Sequence, residues 1–285
     1  MRKCSGRNLC RREVLLIIWR TLRQKVKMSM KMLTVEGIVL KERSVGEQDK
    51  FIDILTKESG VLELSVKGAR KINGKSGSST QLFAYSRFCI QQRKDRLYLN
   101  SAEPIHIFYN LRNSLSKLSL ASYFADVLRS SIEEQSQSSV VLRLFLNTLY
   151  FLESGKRDEA FLKALFELRL MSEIGYMPDV VACRECGMYE PQELYFCIDD
   201  GGFFCKDCFD GDFSCNFIKI KLPVLNAVRH IVLTDFDRLF NFRVSESTML
   251  RLGVLAENYL VSHLERSFKT LDFYKSLDIN GGKYE

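Results

Sequence analysis

CRECGMYEPQELYFCIDDGGFFCKDC, Cys183 to Cys208, places five cysteines in 26 residues. Four of them form two CxxC pairs, Cys183-x2-Cys186 and Cys205-x2-Cys208, separated by eighteen residues. A CxxC turn aims two sulfurs at one centre, and two such turns supply four thiolates at tetrahedral angles. Soft thiolates favour zinc or iron. Gly187 directly after the first pair suits a tight knuckle, whereas Phe209 follows the second. Between the pairs Leu194, Phe196 and Ile198 alternate and Gly201-Gly202 makes a turn, the pattern of a small ribbon hairpin. The expected ligands are Cys183, Cys186, Cys205 and Cys208, around one structural Zn2+. Four thiolates fill the tetrahedron, whereas a catalytic zinc keeps a position for water. Cys197 reads as a structural strand residue, and Cys4, Cys10, Cys89 and Cys215 read as isolated. Two dithiol redox motifs would call for a βαβ context, and the flanking pattern lacks it.

The chain has 285 residues, room for about two domains, and its 46% hydrophobic content is that of a globular protein. No apolar run approaches the roughly 18 residues of a membrane span. Nine cysteines without a recognisable secretion signal point to a reducing compartment, where paired cysteines are more often metal sites than disulfides. The net charge of +7 is concentrated at one end. Residues 1–31 carry ten Lys/Arg and one acid, and the other 254 residues sum to −2. A phosphate-binding surface must therefore be a local patch. The 1–31 segment reads as a disordered basic extension. Its apolar run Val14–Trp19 is shorter than a signal-peptide core. A membrane-surface helix, a nucleic-acid tail, or sequence upstream of a start at Met28, Met30 or Met32 are its alternatives.

From Met32 the pattern is β. Thr34–Arg43, Phe51–Lys57, the strictly alternating VLELSVKG (Val61–Gly68), Phe83–Gln92 and Leu97–Ala102 read as five strands. The last two pair across Lys94-Asp95-Arg96, and Pro104 closes the unit. Five strands in about 70 residues fit a small barrel of the oligonucleotide-binding (OB-fold) type. From Leu111 the period changes to 3.6. Stripes at Leu111/Leu115/Leu118/Ser122/Ala125/Leu128, Val141/Leu144/Phe145/Thr148/Leu152 and Phe161/Ala164/Leu165/Leu168/Met171 read as core faces of three helices. The third stops at Gly175 with Pro178 beyond. Helices resume at Leu222–Leu233 and over a long Ser245–Phe268, with Leu250, Val254, Tyr259 and Leu260 as apolar positions. The fold class is α+β and multi-domain. The expected units are an OB-fold domain at 32–106, a helical domain at 107–182 and 212–285, and a zinc-ribbon-like insertion at 183–211.

KGARKINGK, Lys67 to Lys75, sets four cations in nine positions, with glycines that let backbone N–H groups approach a phosphate. Phe83, Tyr85 and Phe88 follow on the next strand, either as stacking platforms for a single strand or as barrel core. The expected nucleic-acid contacts are Lys67, Arg70, Lys71 and Lys75, widened by Lys41, Arg43, Arg87 and Lys94, with Arg93 and Arg96 alongside. No Walker A pattern and no catalytic constellation is present; His106, His230 and His263 form no HxxxH pair.

The order of these features resembles the bacterial DNA-repair and recombination-mediator family RecO. The stretches that carry the resemblance are TVEGIVLKERSVGEQDKFIDILTKESG, the basic VKGARK followed by Leu82-Phe83, FELRLMSEIGYMPDVVACRECG, and GGFFCKDC. It covers about Met32 to Leu277. The resemblance implies an OB-fold barrel, then a helical domain with the zinc module inserted. It also implies a non-enzymatic protein of the bacterial cytoplasm, associated with the nucleoid, that takes part in DNA repair and homologous recombination. Such a protein binds single- and double-stranded DNA and anneals complementary strands. With RecR, and through the acidic C-terminal tail of single-strand-binding protein, it helps load recombinase. By position, Lys67, Arg70, Lys71 and Lys75 match the family's basic barrel segment, which Ile72-Asn73 dilutes here. An acidic tail calls for a cationic pocket in the helical domain, for which Arg112, Lys117, Arg129, Arg143 and Arg169 are candidates. The competing reading is a zinc-dependent hydrolase or nuclease acting on nucleic acid.

Overall fold

The structure, a computed structural model, describes residues 31–68, 77–134, 136–211 and 215–280. Strands β1 (Lys31–Val45), β2 (Asp49–Thr56), β3 (Val61–Val66), β4 (Ala84–Arg93) and β5 (Arg96–Ile107) close into a barrel in the order β1-β2-β3-β5-β4. β1 serves both ends of the closure. Gly37 opposes Thr56 of β2 and Ser86 of β4, and the register slips between Val39 and Lys41, where the strand bends. Gly37 is needed there, because a Cβ would stand 2.6 Å from the Leu55 carbonyl oxygen. β5 continues through Pro104 to Ile107 with a register shift beside it, so Pro104 lies inside the last strand rather than after it.

The two-residue period divides the barrel walls. Val35, Val39, Ile52, Ile54, Leu62, Leu64, Val66, Phe88 and Ile90 fill the inside. Ile38, Leu40, Leu55 and Phe83 belong instead to the core of the helices that follow. The barrel wall is thus one side of the helical core.

The helices are α1 (Leu115–Ser131), α2 (Ser139–Ser154), α3 (Glu159–Glu173), α4 (Leu222–Leu233), α5 (Phe236–Leu239), α6 (Glu246–Leu264) and α7 (Lys269–Asn280). The Ser114 hydroxyl accepts the Lys117 N–H at the start of α1. α2 ends on Gly155 in the left-handed conformation. α3 is central and packs on α2, α4 and α6, while α1 packs on α7. The α2 and α3 stripes are buried as the period predicts.

Two stripes differ. In α1 the buried residues are Ser119, Leu120, Ala121, Tyr123, Phe124, Ala125, Val127 and Leu128, while Leu115 is exposed and Leu118 and Ser122 are half-buried. The helix is wrapped by the barrel, α2, α3 and α7, so one narrow stripe does not describe it. The segment Ser245–Phe268 is not one helix. It breaks at Glu265, which takes a left-handed φ of 48°, and a second helix follows. Leu250 and Val254 lie on the outer face of α6, 68% and 50% exposed, whereas Leu252, Leu255, Ala256, Tyr259 and Leu260 face inward.

A charged network lies in the helical core. Glu167 of α3 is fully buried and accepts from the Tyr123 hydroxyl (2.7 Å) and the Lys163 ammonium (2.8 Å). Lys163 also reaches Glu257 of α6 (2.9 Å), which Lys275 of α7 contacts from the other side. Four helices are pinned by one chain of charge-assisted hydrogen bonds.

Between α3 and α4 lies a three-stranded sheet, β6 (Glu193–Cys197), β7 (Phe203–Cys205) and β8 (Phe217–Lys221), in the order β7-β6-β8. The β6–β7 hairpin turns at Gly201-Gly202 as the sequence predicts. The sequence pattern does not announce β8, which extends the sheet past residue 211. Leu194, Phe196, Phe203 and Ile220 point into the helical core. No helix among the described residues is long and apolar enough to cross a membrane.

Candidate metal centre and nucleic-acid interface

The Sγ atoms of Cys183, Cys186, Cys205 and Cys208 lie within 4.8 Å of one another. Cys186 and Cys205, from different pairs, are 3.7 Å apart. A tetrahedron with zinc–sulfur bonds of about 2.3 Å has edges of about 3.8 Å, so the four sulfurs fit one ion of that size. Each knuckle is closed by the backbone. Gly187 N–H donates to the Cys183 carbonyl at 3.0 Å with φ at +71°, and Cys208 N–H donates to the Cys205 carbonyl at 3.1 Å. The Cys205 N–H donates to Cys183 Sγ at 3.3 Å, the kind of outer hydrogen bond that orients a thiolate ligand. Burial opposes ionisation of Cys183, yet backbone N–H groups of Cys186, Cys205 and Glu185 outweigh it and draw the thiol down to about 7. Burial pushes Cys205 the other way.

The cluster is tied to the helices by two devices. Arg229 of α4 is buried and donates to the carbonyls of Val180 (2.7 Å), Val181 (2.8 Å) and Tyr189 (2.5 Å), with its guanidinium 4.0 Å from the Tyr189 ring centroid. Pro178 sits against Gly201, and the Tyr259 hydroxyl of α6 donates to the Tyr176 carbonyl (3.2 Å). The stretch Gly175-Tyr176-Met177-Pro178 is therefore a docking strap between α3 and the cysteine sheet.

Cys197 and Cys215 are joined by a disulfide. Cys197 is a buried residue of β6, as its reading as a structural strand residue expects. The bond corrects the reading of Cys215 as isolated and runs against the expectation that paired cysteines in this chain hold metal rather than bridge. The segment before β8 returns alongside the end of β6 and brings the two together. Cys89 is free, and Cys4 and Cys10 lie outside the described residues.

The expected nucleic-acid residues are scattered in their roles. Arg70, Lys71 and Lys75 lie outside the described residues. Lys41 is exposed on β1, and Lys94 is exposed at the β4–β5 turn with φ of 53°. Arg43 pairs with Asp53 (3.1 Å) and with Glu63, whose hydrogen bond raises its pKa. Arg87 pairs with Glu36 (3.0 Å), and that bond holds the Glu36 carboxyl below its ordinary value. Of the aromatic residues that follow the basic loop, Phe83 and Phe88 are fully buried, and Tyr85 is half-buried with its hydroxyl on Glu36. Phe83 and Phe88 are core, not platform.

The rings that face outward are Phe51 and Tyr98. Phe51 of β2 is opposite Ser65 of β3, and Ser65 is opposite Tyr98 of β5, so the two rings flank a small residue on three neighbouring strands. Each carries cations: Arg43 at 5.9 Å from the Phe51 centroid, and Lys67 at 5.6 Å and Arg93 at 5.4 Å from Tyr98. Alternation in FIDIL and RLYLN holds this signal, since Ile52, Ile54, Leu97 and Leu99 take the inward positions. Lys67 and Gly68 follow β3 directly at this face.

The cations proposed for an acidic tail are all engaged by the chain itself. Arg112 donates to the Leu82 carbonyl, Lys117 to that of Glu153, and Arg129 pairs with Asp53. Arg143 pairs with Asp237, and Arg169 caps α4 through the carbonyls of Ile231, Val232 and Thr234.

Residues 30–108 match the family model described as recombination protein O N terminal, and residues 112–272 match recombination protein O C terminal. A DNA repair protein RecO of Acetivibrio thermocellus is 36% identical over 249 residues, covering 87% of this chain and 98% of the relative. Relatives of the same name from Alkaliphilus metalliredigens (29% identical, 86% and 100% covered) and Bacillus pumilus (28%, 85% and 93%) align over the same extent. A closed five-stranded barrel, a helical unit on its wall, a four-cysteine cluster between two of its helices and these matches along both parts establish that the chain belongs to the RecO family.

Proposed function

We propose that this protein acts in DNA repair and recombination as a DNA-binding mediator without turnover of its own. The coarse role follows from family membership. The finer reading is that the barrel holds single- and double-stranded DNA, that the protein anneals complementary strands, and that with RecR it helps load recombinase onto strands coated by single-strand-binding protein. The working division is a DNA-holding barrel at 32–106, helical parts at 107–182 and 212–285, and a metal-braced insertion at 183–211. Its place of action is the bacterial nucleoid.

One observation carries the reading: the Phe51–Ser65–Tyr98 ladder with Arg43, Lys67 and Arg93 over its rings, with Arg70, Lys71 and Lys75 following Lys67 in the sequence. Rings beside cations take successive bases and their phosphates without reading sequence. Lys41 and Lys94 extend the cationic rim, whereas Arg43 and Arg87 hold carboxylates and contribute less.

A hydrolase built on the metal is the weaker reading. Cys183, Cys186, Cys205 and Cys208 would hold zinc with all four tetrahedral positions taken by sulfur, which suits bracing. Among the described residues no histidine joins the cluster. The test is annealing of complementary oligonucleotides, bare and coated with single-strand-binding protein, with and without the chain. Acceleration is expected. Binding should weaken with salt, and Lys67→Ala with Arg93→Ala and Tyr98→Ala should flatten the salt slope by roughly 1 to 2. No binding of oligonucleotides at low salt would sink the reading.

A further inference from the structure

The outer face of the β6–β8 sheet is not part of any surface described so far. Its inner residues lie in the helical core, so alternation puts Tyr195, Phe204, Lys219 and Phe217 on the other side. There Phe209, from just after the last knuckle cysteine, lies flat on Tyr195 with centroids 3.8 Å apart and planes 11° apart. Phe217 meets Phe209 edge-on at 5.0 Å. Lys219, directly opposite Tyr195, has its ammonium 5.9 Å from that ring. Lys219 also lines a cleft of about 500 Å³ between β8 and the first turn of α6. The cleft has Ile220, Pro223 and Val224 as apolar lining and Lys219, Lys221 and Arg251 as its cations.

We propose that this face is a second track for a nucleic-acid strand, with bases against the Tyr195–Phe209 stack and phosphates at Lys219, Lys221 and Arg251. The inference rests on the barrel reading above and adds to it a site for the second strand. Annealing brings two polyanions together, and two tracks on one protein allow each strand to be neutralised separately. Glu193 pairs with Lys219 (3.0 Å) and approaches Lys206 (3.9 Å), which tempers the charge beside the rings. Lys221 and Arg251 form no ion pair within 4 Å among the described residues, although Glu193, opposite Lys221 on β6, tempers Lys221 as well. Stacked rings joined to a cationic cleft fit a flexible strand better than an acidic peptide. A peptide would use the cleft and its apolar lining but leave the stack idle.

The test uses the full chain carrying Lys219→Gln, Lys221→Gln and Arg251→Gln together. These side chains are at the surface, and unchanged metal content and circular dichroism establish that the fold is intact. Binding of a labelled oligothymidylate is expected to persist through the barrel with at most a few-fold loss. The annealing rate is expected to drop roughly tenfold, and the salt slope of the annealing rate to flatten, because three phosphate contacts to the second strand are gone. A strand substituted with 5-bromouracil should photo-crosslink to Tyr195 or Phe209 in the parent protein. Unchanged annealing and slope in a folded variant, or crosslinks confined to the barrel, overturn the proposal while leaving the barrel reading intact. Loss of binding to an acidic peptide with normal annealing also overturns it, in favour of a peptide site. If the parent protein binds no oligonucleotide at all, the barrel reading fails and this one with it.

Discussion

Arg129 Nε on α1 lies 2.7 Å from Asp53 Oδ2 on β2, across the junction of helices and barrel. The other carboxylate oxygen of Asp53 accepts from Arg43 at 3.1 Å. Asp53 is 6% exposed, so this carboxylate is held by two guanidinium groups at a nearly dry seam. Asp53→Ala leaves Arg129 facing the seam with only Asp126 (3.3 Å) and is expected to cost about 2 kcal/mol, the range for a hydrogen bond to a charged group. A urea titration checks this: the midpoint should fall with the slope unchanged. Asp53→Asn keeps an acceptor and should lose less than Asp53→Ala.

The buried network predicts a dependence on pH. Burial works against the Lys163 ammonium, but Glu167 and Glu257 more than offset it and hold its pKa up. Burial pushes the Glu167 carboxyl up against that same ammonium. Burial also opposes ionisation of Glu257, but Lys163 and Lys275 prevail and hold it low. Lys163→Met strands the Glu167 carboxylate and should cost about 3 to 5 kcal/mol near neutrality. A carboxyl whose folded pKa is raised favours the fold below its unfolded value, about 4.3, and loses that contribution as pH rises through the folded value. The Lys163→Met deficit should therefore be smallest in acid and grow toward neutral pH. Glu257 runs the other way: its stabilisation is present above the unfolded value and is lost as pH falls. Denaturant titrations of both proteins across pH 4 to 8 check this, and a deficit that shrinks toward pH 8 refutes it.

Removing the metal should loosen more than the cysteine sheet. Leu194, Phe196, Phe203 and Ile220 share one core with α3, α4 and α6, so a sheet that lets go exposes the helices as well. Chelation is expected to release one ion per chain, and tetrathiolate sites of this kind carry on the order of 10 kcal/mol or more of apparent binding free energy. Cys183→Ser and Cys205→Ser alter the two most buried ligands, and each should abolish stoichiometric binding and lower the thermal midpoint. Elemental analysis with a thermal scan decides it; a metal-free chain that melts like the parent contradicts it.

Much of the architecture is written in short-range pattern. Strict alternation marks β3 and β-rich composition marks the other barrel strands, helical periodicity marks α2 and α3, and the CxxC spacing brings four sulfurs together. What stays hidden depends on closure in three dimensions. Phe83, in a left-handed turn just before β4, and Phe88, on β4, both go into core, while Phe51 and Tyr98 share one face only because β3 lies between β2 and β5. The break after α6 has no glycine or proline to announce it, since Glu265 itself takes the left-handed conformation. β8 is five residues long, directly abuts α4, and is strand only because β6 offers an edge. Arg229 looks like any helical cation, and its three carbonyl partners come from a loop some forty residues earlier. The Cys197–Cys215 bond is likewise set by the return of the chain to β8, not by spacing.

The strap at Pro178 makes Gly201 a demanding position. Gly201 turns the β6–β7 hairpin at φ of +75°, a conformation that costs an L side chain roughly 1 kcal/mol. A Cβ there would stand 2.6 Å from the Tyr259 hydroxyl oxygen and 3.0 Å from Pro178 Cα. Gly201→Ala must therefore displace Tyr259, whose hydroxyl holds the Tyr176 carbonyl, and is expected to cost about 2 to 4 kcal/mol in total. Tyr259→Phe removes the obstructing oxygen and sacrifices that hydrogen bond. In the Tyr259→Phe background Gly201→Ala should cost less than in the parent, by on the order of 1 kcal/mol, because part of the clash has gone. The backbone term and the Pro178 contact remain, so rescue is incomplete. A double-mutant cycle by urea denaturation measures the difference. Equal costs in the two backgrounds would mean that the hairpin conformation alone, and not its seat against α6, makes glycine necessary at this turn.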